Sequence, residues 1–186
     1  LEEVIVTARK REENIQETPL AVTALSGDDL REAGIDNVPD LSKSVPSLQI
    51  NKGQGNQIYI RGIGERTGFV RVDPTVGVYL DGLFLPRADG QLLDTVDVEN
   101  LQILRGPQGT LFGKNTLGGA INVISKEPSE ELSGAIEGRW ADDDESYGVS
   151  ARVSGPLIKD VLLGTLAVSY DESDGFYELI GAPTEN

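Results

Sequence analysis

Apolar and polar residues alternate along three segments in the last third of the chain. In each segment every second residue belongs to a mostly apolar series, and the residues between them are mostly small or polar. The series comprises Leu132, Gly134, Ile136, Gly138 and Trp140, then Tyr147, Val149, Ala151 and Val153, then Leu162, Gly164, Leu166, Val168 and Tyr170. A period of two residues predicts β-strands with one apolar face. The pattern alone fits both a half-buried sheet and transmembrane β-strands.

Two details favour transmembrane strands. The connection Pro156–Asp160 is short, whereas the other connections are longer and acidic. Trp140, Tyr147 and Tyr170 all lie beside those acidic connections, as aromatic residues do at a membrane interface. Three strands cannot close a barrel, and an open edge is not tolerated in lipid. We therefore expect residues 129–186 to be the first antiparallel strands of a longer transmembrane β-barrel.

The first two thirds of the chain predict strands interleaved with short helices. The predicted strands are Leu20–Leu25, Ile58–Gly64, Val76–Leu85 (two strands around an Asp-Gly turn), Val96–Leu104 and Gly119–Ile124. Ser26 and Asp29 form a capping box for a helix that ends at Gly34. Asn37 caps a second helix over 38–44, with Leu41 and Val45 facing inward. These elements predict an α+β domain, a small mixed sheet with short helices, that ends near Pro128.

Composition excludes several kinds of function. The 186 residues include no His, Cys or Met, so the usual general base and the usual transition-metal ligands are absent. Sixteen basic against 31 acidic residues give a net charge of −15, which argues against nucleic-acid binding. No apolar run approaches the ~18 residues of a spanning helix, so any membrane role would use β-strands. We expect no catalytic site, no bound metal and no cofactor.

One ordered pair of motifs resembles a known family. Residues 104–115 read LRGPQGTLFGKN, and 118–124 read GGAINVI. Together they resemble the plug domain of TonB-dependent outer-membrane receptors. Ile60-Arg61-Gly62 and Val78–Gly82 resemble the same plug, in the same order. The resemblance covers roughly residues 1–128 and implies a plug that blocks the lumen of a large barrel.

The resemblance also implies a role for the N-terminal segment. Residues 2–8, EEVIVTA, look like a TonB box, the periplasmic segment that these receptors present to the energy-transducing protein TonB. The residues implied to bind TonB are Glu3, Val4, Ile5, Val6 and Thr7. An extended β-branched peptide can add a strand to a partner's sheet edge. The implied organisation is box and flexible linker over 1–18, plug over 19–128, and barrel strands over 129–186.

The family implies active transport across the bacterial outer membrane. Its ligand is usually a ferric siderophore, less often haem, cobalamin or a carbohydrate. We expect two plug loops to face the ligand, and they carry Arg66, Phe69, Arg71 and Arg87. Cations beside an aromatic ring suit an anionic, partly apolar ligand. Arginines of plugs tend to pair with carboxylates of the plug or the barrel wall, which implies such ion pairs for Arg61 and Arg105.

Two other functions remain open from the residues. A soluble secreted β-rich binding or adhesion module would show the same strand alternation. A glycosidase that relies on carboxylates alone would need two converging acidic residues, and the sequence does not show such a pair. At Arg61 and Arg105, ordinary surface salt bridges are the alternative to a functional ion pair.

Overall fold

The computed structural model describes residues 5–6, 13–14, 20–35, 37–51, 57–65, 73–86, 97–141, 146–159 and 161–172. The chain divides into two compact units, Leu1–Glu127 (unit 1) and Pro128–Asn186 (unit 2). Each unit is described by itself below. Among the described residues, no helix is long and apolar enough to cross a membrane.

Unit 1 is built from short strands and single-turn helices. Its strands are β1 (Ile5–Val6), β2 (Glu13–Asn14), β3 (Val22–Ser26), β4 (Leu48–Asn51), β5 (Gln57–Ile60), β6 (Ile63–Gly64), β7 (Val76–Leu80), β8 (Leu83–Phe84), β9 (Val98–Arg105) and β10 (Gly119–Ser125). Its helices are α1 (Gly27–Glu32), a 3-10 turn at Val38–Asp40, α2 (Leu41–Ser44) and α3 (Gly109–Phe112). The expected α+β architecture is confirmed.

The main sheet of unit 1 is mixed, in the order β3-β9-β10-β7-β8. Strand β9 pairs antiparallel with β3 on one side and with β10 on the other. Strand β10 pairs parallel with β7, with Gly119 opposite Val76. A second sheet has the order β4-β5-β6, and β1 pairs antiparallel with β2. The parallel pair brings together two strands that no local signal in the sequence connects.

The core lies between one face of the main sheet, the helices and the second sheet. Its buried members are Leu30, Ile35, Val38, Leu41, Val45, Leu48, Ile58, Ile60, Val76, Val78, Val98, Leu101, Ile103, Ile121 and Val123. Leu41 and Val45 are buried, as the sequence predicted. A smaller cluster on the other face contains Tyr79, Leu104 and Ala120. Burying each large aliphatic side chain contributes about 1.5–3 kcal/mol, so this core is a large favourable contribution to the folding of unit 1.

Both predicted helix caps are present. The Ser26 hydroxyl accepts from the Asp29 N–H at 3.1 Å, and the Asp29 carboxylate accepts from the Ser26 N–H at 2.8 Å. Hydrogen bonds from the Ser26 hydroxyl and backbone N–H lower the pKa of Asp29 below its ordinary value. Asn37 accepts from the Asp40 N–H at 3.3 Å and caps the 3-10 turn that leads into α2.

Two hairpins turn through residues in the left-handed region. Arg61 and Gly62 have φ of 52° and 79°, and Asp81 and Gly82 have φ of 49° and 81°. These signs fit a two-residue turn whose twist matches the flanking strands. The Asp81-Gly82 hairpin is therefore confirmed. At Ile58–Gly64 the sequence predicted one strand ending in a glycine turn, and the structure has a complete hairpin, β5 and β6.

Unit 2 contains a three-stranded antiparallel sheet in the order β11-β12-β13. Its strands are β11 (Ser133–Ala141), β12 (Ser146–Ile158) and β13 (Leu162–Glu172). The register pairs Ile136 with Ala151, and Ala151 with Val168. The alternating apolar series of all three strands therefore falls on one face, as expected. Among the described residues of unit 2, these three strands form an open sheet.

Candidate functional site

The LRGPQG motif forms a closed loop between β9 and β10. Strand β9 ends at Arg105, and the backbone turns at Gly106, where φ is +88°. The Gly106 N–H donates to the Gly118 carbonyl at 3.0 Å, and the Gln108 N–H donates to the Thr116 carbonyl at 3.0 Å. The motif is thus a rigid strand-to-strand connection, held by its own backbone.

The two following glycines allow close approach of backbones. A Cβ at Gly118 would lie 2.8 Å from the Ile63 carbonyl oxygen of the β5–β6 hairpin. A Cβ at Gly119 would lie 2.9 Å from Ile60 Cδ1 and would also clash with the Leu104 carbonyl oxygen. The Gly-Gly pair therefore lets the loop after α3 lie against the second sheet.

Tyr79 anchors α3 to the main sheet. Its hydroxyl donates to the Phe112 carbonyl at 2.7 Å, and its ring lies 4.9 Å from the Phe112 ring and 5.5 Å from the Phe84 ring, measured between centroids. Burial raises the pKa of Tyr79. The sequence analysis did not single out Tyr79. Tyr79 and Phe112 lie in two separate sequence motifs, VYLDG and GTLFG, and no local sequence pattern indicates that the two motifs are in contact.

Arg105 connects β9 to the edge strand β3. Its guanidinium donates to the Thr23 hydroxyl, and its backbone N–H donates to the Ala21 carbonyl at 3.0 Å. Its Nε is buried without a hydrogen-bond partner in the described part of the chain. No described carboxylate forms an ion pair with Arg105. A pairing of Arg105 with the barrel wall stays a prediction.

Arg61 occupies a different environment. It is exposed at the tip of the β5–β6 hairpin, and its backbone N–H donates to the Ser47 carbonyl at 2.8 Å. Within the described ranges, Arg61 forms no ion pair. The structure therefore places the two arginines in unlike settings, one half-buried within a sheet and one exposed in a turn.

The other predicted site residues fall largely outside the described residues. Arg66, Phe69, Arg71 and Arg87 lie outside them, as do Glu3, Val4 and Thr7. Ile5 and Val6 form β1, which pairs with Glu13 and Asn14. An extended conformation of Ile5 and Val6 agrees with the β-branched run around them, for which an N-terminal edge strand is the alternative to a TonB box, whereas Glu13 and Asn14 lie in the predicted linker, where no strand is predicted.

The two faces of unit 2 differ in polarity. On one face the exposed fractions are 84% for Ile136, 79% for Trp140 and 64% for Leu166. On the other face Arg139 forms an ion pair with Asp171 across the intervening strand β12. A Cβ at Gly148 would lie 2.9 Å from the Arg139 guanidinium, so glycine makes room for this pair. The three strands therefore present one apolar face and one polar face.

No group of three or more acidic side chains that could hold a metal comes together among the described residues. The described residues of unit 1 form a close-packed scaffold of two sheets and short helices.

Comparisons with known proteins give the family. A family model described as "TonB-dependent Receptor Plug Domain" matches residues 14–120, more than half of the chain. The pesticin receptor of Yersinia pestis is 31% identical over 178 residues, covering 92% of this chain and 26% of that protein. The probable TonB-dependent siderophore receptor PirA of Acinetobacter baumannii is 29% identical over 194 residues, covering 94% of this chain and 25% of that protein.

A solved structure agrees with this assignment. The ferric yersiniabactin uptake receptor FyuA from Yersinia pestis superposes with a TM-score of 0.72 at 30% identity, covering 81% of this chain and 24% of that one. This chain spans about a quarter of the length of the relatives it matches. The chain belongs to the TonB-dependent receptor plug domain family, a family of outer-membrane receptors.

Proposed function

We propose that this chain is the TonB box, plug and first barrel strands of an active transporter that takes up a ferric siderophore across the outer membrane. The observation that carries the proposal is the plug-family match over residues 14–120. PirA is named a probable siderophore receptor and FyuA a ferric yersiniabactin uptake receptor, which supports the ligand class. In this proposal the chain has no catalytic role.

The surface of unit 2 supports barrel strands over a soluble module. Its apolar face exposes large side chains, including Ile136, Trp140, Val149, Leu166 and Val168. Soluble monomers rarely expose a contiguous apolar patch of this extent, whereas a barrel strand presents one to lipid. Within the described residues of unit 2, no other element covers this face.

The proposed division of roles follows from position. Glu3–Thr7 bind TonB by strand addition, and the extended backbone of Ile5–Val6 is compatible with that mode. Arg66, Phe69, Arg71 and Arg87 face the ligand from two loops that leave the scaffold after Gly64 and Phe84. Arg61 and Arg105 pair with carboxylates of the barrel wall and hold the plug during transport.

Proline substitution in the box tests the proposal. Val4→Pro or Ile5→Pro removes a backbone N–H that strand addition requires, so we expect uptake of ferric siderophore to be lost. Binding of the same siderophore to whole cells should be unchanged, because the box does not contact the ligand. The measurement is radioactive-iron uptake against binding at low temperature, in cells lacking other iron receptors.

Matched controls separate the backbone effect from the side chain. Val4→Ile and Ile5→Val keep the β-branched character and the N–H, and should transport normally. Normal uptake by both proline variants would show that Glu3–Thr7 is not the box. Uptake of cobalamin in place of iron would overturn the ligand class and leave the transporter class standing.

A further inference from the structure

Strand β3 is the strand of the main sheet that comes first along the chain. It lies at the edge of that sheet, where β9 is its one neighbouring strand among the described residues. The Val22 N–H, at the start of β3, donates back to the Leu20 carbonyl at 3.0 Å, so this donor is already used within the chain. A displacement of the N-terminal segment therefore reaches the main sheet through β3 and its contacts with β9.

Two hydrogen bonds at the N-terminal end of β3 both come from Arg105. The two strands are antiparallel, with Val22 opposite Leu104, so the start of β3 lies at the end of β9. There the Arg105 N–H donates to the Ala21 carbonyl at 3.0 Å, and the Arg105 guanidinium donates to the Thr23 hydroxyl. When β3 is lifted from its N-terminal end, these are the polar contacts that are loaded before the others.

Arg105 is the fixed side of these contacts. It lies opposite Gly119 of the inner strand β10, and the next residue, Gly106, donates its N–H to the Gly118 carbonyl at 3.0 Å. The Arg105 Nε is buried without a hydrogen-bond partner in the part of the chain that the structure describes. A buried donor without an acceptor is costly, and a charge-assisted hydrogen bond is stronger than a neutral one. The guanidinium therefore depends on the acceptor that Thr23 supplies.

We propose that Arg105 and Thr23 form a latch that holds the start of β3 on β9 and sets the pull needed to detach it. The inference rests on the proposed function, in which TonB binds Glu3–Thr7 ahead of β3 and draws on that segment. Thr23 is a positioning residue, because it acts through the Arg105 guanidinium. The latch gives Arg105 a role within unit 1 that is separate from its proposed pairing with the barrel wall.

Amide hydrogen exchange of the receptor containing this chain tests the latch at rest. Thr23→Val removes the acceptor and keeps the β-branched shape. We expect peptides from β3 to exchange roughly tenfold faster in this variant, the effect of losing one hydrogen bond to a charged group. Thr23→Ser restores a hydroxyl and should restore slow exchange. Thr75→Val is the matched control and should leave β3 unchanged, because the Thr75 hydroxyl is buried without a hydrogen-bond partner among the described residues.

A second background shows whether Thr23 acts through Arg105. Arg105→Met keeps a long side chain and removes the donor, so β3 should exchange faster in this variant as well. Adding Thr23→Val to Arg105→Met should then have no further effect, because the bond is already lost. A further tenfold increase in the double variant would show that Thr23 acts independently of Arg105 and would overturn the inference, as would unchanged exchange in Thr23→Val alone.

Single-molecule pulling tests the latch under load. The N-terminus of the receptor in a bilayer is drawn away by a cantilever, so that neither TonB nor a ligand is needed. The force that detaches Val22–Ser26, identified by its gain in contour length, should be lower in Thr23→Val than in the wild type and should be restored in Thr23→Ser. Equal forces in all three proteins would overturn the latch. Failure of the proposed function is distinguishable, because the proline variants at Val4 and Ile5 report it through uptake.

Discussion

Ser26 supplies the cap of α1, and its removal has a measurable cost. Ser26→Ala leaves the Asp29 N–H without its acceptor and breaks the reciprocal bond pair. We expect the free energy of unfolding to fall by about 1 kcal/mol, the usual loss for an N-cap serine. Urea denaturation checks this, with Ser44→Ala as the control because Ser44 is exposed and is not a cap. Equal losses in both variants would contradict the capping role.

Arg61 allows its structural and functional roles to be separated. Arg61 and Gly62 adopt left-handed backbone angles, and Asn is favoured over Arg at the first of these positions. Arg61→Asn should therefore raise the free energy of unfolding by about 0.5 kcal/mol. If Arg61 also pairs with a barrel carboxylate, the same variant lowers siderophore uptake. A stabilised variant with unchanged uptake would leave Arg61 as a turn residue only.

At the residue scale, the sequence indicates which residues are structurally important but not which residues they contact. Arg105 was singled out from its motif, but its partner Thr23 lies 82 residues away. A pairing across adjacent strands depends on register, and register is set by the whole sheet. The same reason explains why Tyr79 and its bond to the Phe112 carbonyl could not be foreseen.

At the scale of elements, local signals predicted local structure. The Ser26 and Asn37 caps and the Asp81-Gly82 hairpin each depend on a few neighbouring residues, and all three are present. Strand β4 and helix α3 were not predicted, because four residues give too short a periodicity to recognise. These short elements are stabilised by tertiary packing, because their own sequences are too short to form stable secondary structure.

The contact between β7 and the loop after α3 predicts that alanine substitution destabilises the protein at Gly77 but not at Gly109. A Cβ at Gly77 would lie 2.7 Å from Tyr79 Cε2 and 2.8 Å from Thr116 Cγ2, both buried residues. Gly77→Ala should lower the free energy of unfolding by about 1–3 kcal/mol through overpacking. Gly109→Ala is the control, since a Cβ there meets nothing within 4 Å and alanine favours a helix. Thermal unfolding of both variants is the measurement, and equal melting temperatures would contradict this packing.

At the scale of the whole molecule, the backbone amides of the two units should differ in their protection from hydrogen exchange. In the isolated 186-residue chain, β11 and β13 have open edges and the apolar face is exposed, so we expect amide exchange in unit 2 to be far faster than in Val98–Arg105. In the complete receptor the unit 2 strands should be as protected as β9. Hydrogen exchange by mass spectrometry compares both. Strong protection of unit 2 in a monomeric fragment would favour a soluble module.

The family and the architecture of unit 1 could be inferred from the sequence, because the motifs are long and ordered. The alternation in residues 129–186 predicted β11–β13, but a half-buried sheet and barrel strands share that alternation, so the barrel assignment stays a proposal. The residues predicted to face the ligand, Arg66, Phe69, Arg71 and Arg87, lie outside the described residues, so their role stays a prediction.

The position of β10 has a consequence for how the protein is made. Strand β10 lies between β9 and β7, so the last strand of unit 1 along the chain occupies the interior of its main sheet. During synthesis, β7 and β9 cannot pair with β10 until Gly119–Ser125 has been made. The pairing of β10 with β7 joins residues distant in the sequence, and such pairing is slow to form. A protein bound for the outer membrane must first cross the inner one. A main sheet that cannot be completed before β10 has been made is compatible with passage of an unfolded chain.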